Sequence, residues 1–482
     1  MSVSLRQLLE DPDAPEVPIR GLAVDSREVR PGDAFVAISG DRSDGQDYVA
    51  EACRNGAVAV LSERPLAAGL ELEGCPAVVV PDLKLRRGAL AARVHEWPSR
   101  RLRCIGVTGT NGKTSIAHFI ADLAGRLGRT AGYMGTIGWG RPGALERTRL
   151  TTEDGVTVQR RLGQLLDAGC DWVAMEVSSH ALSQGRVAEV EFDVAVLSNL
   201  SRDHLDYHQT EAAYADAKAS LFRWPSLDTA VVNLDDAFGR RVARSLGPGV
   251  ALLGYGRQAE LGWHDLVFTD QGVRGRWRSP WGAADLALPL AGEFSVANMA
   301  AAIGALCCSG LAFDDVVEAA ASVAQVPGRM EFLHAPGRPA VVVDYAHTPD
   351  ALDKVLEALR RHTSGALVCV FGCGGDRDPG KRPLMAQAAE RRADVIWMTS
   401  DNPRSEDPER IIDDMAAGLR GAACTHRCVD RREAIARAVE NASAGDLVVV
   451  AGKGHEDYQE VAGRRLSYSD RVEVANALGV NV

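Results

Sequence analysis

The feature that most narrows the fold of this 482-residue chain is a strand, a glycine-rich turn and a helix in immediate succession. An apolar run at 102–105 leads into "GVTGTNGKTS" at 106–115. Ile116, Phe119, Ile120, Leu123 and Leu127 then recur at helical spacing until Gly128. This order suits a phosphate site. Glycines let backbone N–H groups approach the phosphates and the helix N-terminus adds its positive dipole, while Lys113 reaches the outer phosphates and Thr114 holds Mg²⁺. The loop departs from the common G-x-x-x-x-G-K-[ST] pattern, which wants glycine where Val107 sits. The plainer alternative is a glycine-rich turn of an ordinary α/β sheet.

The pattern repeats along the chain. Short apolar runs at 34–38, 58–61 and 77–80 precede a helical stretch at 90–97, and "HEWPSRRLR" reads as a linker with Pro98 as breaker. Buried strands are expected at 172–177, 194–197 and 230–233. A second break falls near "AQVPGRMEFLHAPGRP", followed by runs at 340–343, 366–371, 395–399 and 447–451, each leading into a loop and a helix. Apolar runs alternating with helices imply mostly parallel sheets, whose ligands sit at the C-terminal strand ends. The length fits roughly three domains of about 150 residues, with boundaries expected at 1–98, 99–326 and 327–482.

Composition excludes several classes. A net charge of -11 argues against nucleic acid, which calls for a basic face. The ten cysteines form no C-x-x-C pair, so zinc and disulfide frameworks are weak readings. No apolar stretch approaches about 18 residues, so no membrane span is expected, and "MSVSLRQLLEDPDAPEVP" lacks the features of a signal peptide. A cytoplasmic protein in a reducing compartment is expected.

Polar residues gather where strands should end. "AMEVSSHALSQGRV" puts Glu176 near a strand end, as a metal ligand or a cap. Adjacent Ser and His cannot face each other as nucleophile and base, so a serine-hydrolase reading fails. His204 and His208 stand at i, i+4, as a zinc pair on a helix would, but Asp203-His204 directly follows a strand and loop chemistry fits better. Lys218 in "AYADAKASLF" reads, on residue statistics, as an exposed helical lysine. In the C-terminal third, "VVVDYAHTPD", "FGCGGDRDPGKRP", "TSDNPRSEDPE" and "VVVAGKGHEDYQ" are four strand-end loops mixing guanidinium groups with carboxylates, as a zwitterionic ligand would require. Thr348-Pro349 and Asp407-Pro408 each read as a helix start.

Together these segments resemble the Mur ligases, the ATP-dependent amino-acid ligases of peptidoglycan precursor synthesis. "TGTNGKTS", "MEVSSHAL", "SNLSRDHLDYH", "YADAKASLF", "PGRME", "DYAHTPD", "FGCGGDRDPGKRP", "DNPRSE" and "GKGHEDYQ" follow in family order over nearly the whole chain. The Val107 mismatch is then a family variant of the loop. The resemblance implies three α/β domains: a small N-terminal uridine-binding domain, a central P-loop-type, mostly parallel domain and a C-terminal Rossmann-like domain.

It also implies roles for particular residues. Gly109, Thr110, Asn111, Gly112, Lys113, Thr114 and Ser115, with Asn298, Arg329 and Asp344, would bind ATP; Ser295 stands where the family often has asparagine. Thr114, Glu176, His204 and Lys218 would hold two Mg²⁺ ions, Lys218 as carbamylated N6-carboxylysine, and Lys113, Glu176, His204 and Lys218 would form the catalytic group. Val24, Ser26, Asp41, Arg42 and Ser43 would hold the uridine end of UDP-N-acetylmuramoyl-L-alanyl-D-glutamate, and Thr151, Thr152, Ser178, Gln184 and Arg186 its muramoyl-dipeptide. Arg377, Asp401, Asn402, Pro403, Arg404, Gly452 and Glu456 match the amino-acid site. Arg404 suits the second carboxylate of meso-2,6-diaminopimelate, which lysine lacks.

The implied reaction is ATP-dependent ligation of that amino acid to the D-Glu γ-carboxylate, by a chain acting as a monomer. Alternatives are a lysine-adding relative or a folylpolyglutamate synthase-like ligase, which shares the phosphate loop but not the "DNPR" segment or this N-terminal region. An NTPase coupled to motion and a non-catalytic scaffold are readings of other classes. The first shows no visible switch element, and four intact polar loops oppose the second.

Overall fold

The computed structural model describes residues 2–40, 43–67, 69–70, 72 and 74–481. Asp41 and Arg42, expected at the uridine site, lie outside the described residues. The chain forms two compact units, Met1–Tyr255 with Gly304–Leu311, and Gly256–Ile303 with Ala312–Val482.

The first unit holds two larger sheets beside a short antiparallel pairing of Val3–Ser4 with Pro18–Ile19. A parallel four-stranded sheet runs in the order β1 (Gly21–Ala23), β2 (Asp33–Ala37), β3 (Ala59–Ser62), β4 (Ala77–Val79). The second is built around β5 (Arg103–Thr108). With β6 (Ala131–Gly135), β7 (Gly138–Arg141), β8 (Ala144–Glu146), β9 (Trp172–Glu176), β10 (Val194–Leu197), β11 (Thr229–Asn233) and β12 (Ala251–Tyr255), it takes the order β8-β7-β6-β9-β5-β10-β11-β12. Pairing is parallel from β6 to β12 and antiparallel at the β6–β7–β8 edge. The central position of β5 explains why its residues from Cys104 to Thr108 are all buried. Helix Lys113–Arg126 follows the glycine-rich loop and buries Ile116, Phe119, Ile120 and Leu123, the expected stripe.

The helical stretch expected at 90–97 runs instead over Leu83–Val94, and Trp97 takes left-handed backbone at φ 49°. Pro98 disfavours the α conformation at the residue before it, so the helix must end earlier.

The second unit contains an antiparallel meander that the sequence reading did not anticipate: β13 (Gly262–Thr269), β14 (Gly272–Ser279) and β15 (Gly282–Leu288). Its other sheet comprises β16 (Glu331–Leu333), β17 (Ala340–Asp344), β18 (Leu367–Cys373), β19 (Val395–Ser400), β20 (Cys424–Arg427) and β21 (Leu447–Ala451), ordered β16-β17-β21-β18-β19-β20. All pairs are parallel except β16–β17. Separate apolar clusters flank its two faces, and every residue of β21 is buried. Helices Pro349–Arg360 and Pro408–Ala416 start where expected, capped by Thr348 and Asp407. A hairpin, β22 (Tyr458–Val461) with β23 (Arg464–Ser467), follows β21. Among the described residues no helix is long and apolar enough to cross a membrane.

Candidate active site

In the first unit the loop after β5 turns through Gly109 at φ 144° and Gly112 at φ 89°. A Cβ on Gly109 would stand 1.9 Å from Ser198 Oγ, so only glycine fits there. The loop is held from β10's side: Thr110 N donates to Asn199 O (2.8 Å) and Asn111 N to Asn199 Oδ1 (3.1 Å). Lys113 Nζ folds back to the carbonyls of Gly109 and Thr110, each at 2.9 Å. The result is a glycine-lined cradle at a helix N-terminus, suited to a phosphate chain.

Glu176 ends β9, buried beside this cradle. Its Oε1 accepts from Tyr133 Oη (2.6 Å) and Thr136 N (2.7 Å), and its Oε2 from Thr114 Oγ1 (3.0 Å) and Thr136 Oγ1 (3.3 Å). Both carboxylate oxygens are therefore oriented, and Glu176 acts as no helix cap. Tyr133 and Thr136 escaped the sequence reading. Tyr133 lies within β6 and Thr136 directly follows it, and only the pairing of β6 with β9 brings them to Glu176.

Lys218 overturns its reading as an exposed lysine, for it is buried with 1% exposure. Its Nζ donates to Gly109 O at 2.7 Å and lies 4.6 Å from the Tyr214 ring centre. Burial, and then the charge of Lys113, hold its pKa well below the ordinary lysine value. His204 does not lie within a helix as a zinc pair would require. It takes left-handed backbone at φ 51° before the four-residue helix Leu205–His208, and His208 is turned to Ser179 Oγ at 3.0 Å. His204 remains half-exposed, its ring 4.9 Å from His180. Among the described residues no three His, Cys, Asp or Glu side chains converge as a metal cluster. The Thr114 hydroxyl and the Glu176 carboxylate offer a cation oxygen donors, which suit Mg²⁺.

The residues expected to hold the muramoyl-dipeptide form one network. Thr152 Oγ1 donates to Glu176 O (2.8 Å) and accepts from Ser178 N (3.1 Å). Arg186 donates to Thr152 O (2.7 Å) and to Gln184 Oε1, and Thr151 Oγ1 meets Thr136 Oγ1 at 3.1 Å. Arg149, two residues before Thr151, pairs with Asp25 and Glu28 of the N-terminal region. Asp25 separates Val24 from Ser26, whose hydroxyl donates to Glu51 at 2.6 Å. Ser43 is exposed on its turn, where its carbonyl accepts from Gly40 N.

In the second unit, Asn298 and Ser295 are buried on helix Glu293–Cys308. Asp344 ends β17 and accepts from Met330 N and Ala346 N, each at 2.8 Å; burial raises its carboxyl pKa, opposed by the charge of Arg329. Arg329 stacks over Tyr345 at 4.5 Å and keeps a buried Nε without a protein acceptor. That unsatisfied donor fits an anionic ligand.

At the C-terminal ends of β18, β19 and β21, Asp401, Asn402, Arg404, Gly452 and Glu456 come together. Arg404 sits at φ 54°, donates Nη1 to Gly375 O (2.7 Å) and lies 3.5 Å from Glu460 of β22. Gly452 has φ 121°, and a Cβ there would stand 2.8 Å from Asp401 Oδ2. Asn402 Nδ2 donates to Glu456 Oε2 at 3.0 Å. Pro403 is buried within the turn, and Arg377 is exposed on the loop after β18. Carboxylates and guanidinium groups thus line one sheet edge, as recognition of a zwitterion needs.

Three family profiles match this sequence: the Mur ligase family catalytic domain over 18–95, the Mur ligase middle domain over 107–306 and the Mur ligase glutamate ligase domain over 328–454. The UDP-N-acetylmuramoyl-L-alanyl-D-glutamate--2,6-diaminopimelate ligase of Ectopseudomonas mendocina is 49% identical over 99% of this chain and 98% of its own length. A solved structure of a ligase of that name is 41% identical, with 99% of each chain covered and a TM-score of 0.73. The MurF ligase of Thermotoga maritima, solved in complex with ADP, shares the fold at 19% identity, 95% and 97% coverage and a TM-score of 0.65.

Proposed function

The chain belongs to the Mur ligase family, and from that premise we propose that it joins meso-2,6-diaminopimelate to the D-Glu γ-carboxylate of UDP-N-acetylmuramoyl-L-alanyl-D-glutamate, converting ATP to ADP and phosphate. The observation that carries this reading is the cluster of Asp401, Asn402, Arg404, Gly452 and Glu456 at one sheet edge, in a chain 49% identical to a ligase of that name. Three working parts follow: 1–98 for the uridine end, 99–326 for ATP and 327–482 for the amino acid.

In the reaction, the γ-carboxylate attacks the γ-phosphorus of ATP, giving an acyl phosphate and ADP. The amino group of diaminopimelate then adds to the acyl carbon, and the tetrahedral intermediate expels phosphate. The glycine cradle, with Asn298, Arg329 and Asp344, binds the nucleotide, and Lys113 leaves the loop carbonyls to neutralise charge on the transferring phosphoryl group. Thr114, Glu176 and His204 would hold Mg²⁺, which supplies further neutralisation when bound. A buried lysine ammonium repels such a cation, but burial lowers the Lys218 pKa and so favours the neutral amine, the form that takes up CO₂. The carbamate so formed offers oxygen in its place. Thr151, Thr152, Ser178, Gln184 and Arg186 hold the acceptor dipeptide, and Val24, Ser26, Asp41, Arg42 and Ser43 the uridine end. Arg404 and Arg377 take carboxylates of the amino acid, and Asp401 and Glu456 its ammonium groups.

The test is Lys113→Ala with all three substrates present. Ligation is expected to fall at least 10³-fold, the scale of losing one charge from a phosphoryl-transfer site. Turnover at the wild-type rate would refute the assignment.

A further inference from the structure

The amino-acid pocket contains a cation that the proposed reaction leaves unused. Lys453 follows Gly452 on the loop after β21, and its side chain is wholly buried. Gly452 at φ 121° and Gly454 at φ 53° flank it, and a Cβ on Gly454 would meet Gly328 O at 2.7 Å. The loop backbone around Lys453 is thus fixed from both sides. Its Nζ donates to Glu456 Oε2 (2.9 Å) and to Asn402 Oδ1 (3.0 Å). Asn402 Oδ1 also accepts from Glu460 N (2.9 Å), while its Nδ2 donates to the same Glu456 oxygen.

Two consequences follow. The amide orientation of Asn402 is settled, because both donors converge on Oδ1. Glu456 Oε2 is taken by two donors from within the protein, and Oε1 makes no hydrogen bond to another protein group among the described contacts. A lone carboxylate on a short exposed loop would swing between rotamers and pay entropy to bind. Here it is held by a buried ammonium before any ligand arrives.

We propose that Lys453 is a positioning residue for the amino-acid site, holding Glu456 and Asn402 so that Glu456 Oε1 faces the incoming ammonium group. This rests on the diaminopimelate-ligase reading above. Lys453 touches no substrate in this account. It acts through Glu456.

The test is steady-state ligation by the full-length chain, varying each substrate in turn, for Lys453→Met, Glu456→Gln and the double variant. Lys453→Met is expected to raise KM for diaminopimelate at least tenfold and leave KM for ATP and for the UDP-linked dipeptide within twofold. In the Glu456→Gln background the same change should move KM less than twofold, since the group it positions is gone. Lys453→Gln, which keeps the bulk and one donor, should fall between wild type and Lys453→Met, and it carries the test if Lys453→Met does not fold. An unchanged KM for diaminopimelate, an equal rise in all three KM values, or full additivity with Glu456→Gln would overturn the proposal. Wild-type enzyme that ignores diaminopimelate would instead remove the reading on which it rests.

Discussion

Thr114 Oγ1 donates a hydrogen bond to Glu176 Oε2 across 3.0 Å, joining the first turn of one helix to the end of the neighbouring strand β9. The Glu176 carboxylate receives four hydrogen bonds, from Thr114, Tyr133 and twice from Thr136. The phosphate cradle and the proposed metal carboxylate are therefore one mechanical piece. Thr114→Val keeps the shape and removes the donor. It should lower kcat at least tenfold, leave KM for the amino acid within threefold, and cost about 1 kcal/mol of stability. Steady-state kinetics with a denaturation curve decide it, and an unchanged kcat would separate the two sites.

Lys218 provides a second prediction. Burial lowers the pKa of this amine and so enlarges its neutral fraction, and only the neutral amine adds to CO₂. Enzyme stripped of CO₂ should lose activity and regain it on adding bicarbonate. ¹³C-bicarbonate should give a carbamate resonance that Lys218→Arg abolishes. Full activity without CO₂ would count against the modification.

Much of this was legible in the sequence. The phosphate loop and the strands around it could be read because an apolar run, two glycines and Lys-Thr leave few alternatives. The same holds for the helix starts at Thr348 and Asp407, where Pro follows a capping residue. Lys218 could not be read locally, because its burial comes from the chain around Gly109, over a hundred residues away. The meander went unread although β14 alternates buried Val273 and Trp277 with exposed Arg274, Arg276 and Arg278. Its glycines and arginines mask the period of two when composition is read first. Tyr133 and Thr136 have ordinary neighbours in sequence, and only strand order sets them beside Glu176.

The Arg431–Asp470 pair, with both side chains wholly inaccessible, braces the strand ends that carry the amino-acid site. Arg431 also donates to Ala451 O at 2.9 Å, and Tyr468 Oη to Asp470 at 2.9 Å. Asp470→Ala leaves an uncompensated buried guanidinium and should cost about 3–5 kcal/mol. Arg431→Leu with Asp470→Leu should recover most of that loss. Chemical denaturation checks both, and a loss under 1 kcal/mol for Asp470→Ala would show the pair to be idle.

His95 gives a pH dependence. Burial, and behind it the charge of Arg160, lower its imidazole pKa from 6.5 to about 4. The folded state therefore prefers neutral His95, and between these values the unfolded chain binds a proton that the folded chain does not. The contribution is present in full above pH 6.5 and fades as pH falls towards 4, amounting to at most about 3 kcal/mol. His95→Gln should lose about 2 kcal/mol less than wild type between pH 7 and pH 4.5 in denaturant titrations. Equal losses would contradict the assignment.

The central claim is tested most directly by phosphate release from ATP in the presence of UDP-N-acetylmuramoyl-L-alanyl-D-glutamate, offering meso-diaminopimelate, L,L-diaminopimelate and L-lysine in parallel. A second carboxylate facing Arg404 is worth about 3 kcal/mol, or roughly a hundredfold. Release should therefore depend on the dipeptide substrate, favour diaminopimelate over lysine by about that factor, and lose at least tenfold of the preference in Arg404→Ala. Preference for lysine, or release that ignores the dipeptide substrate, would contradict the account.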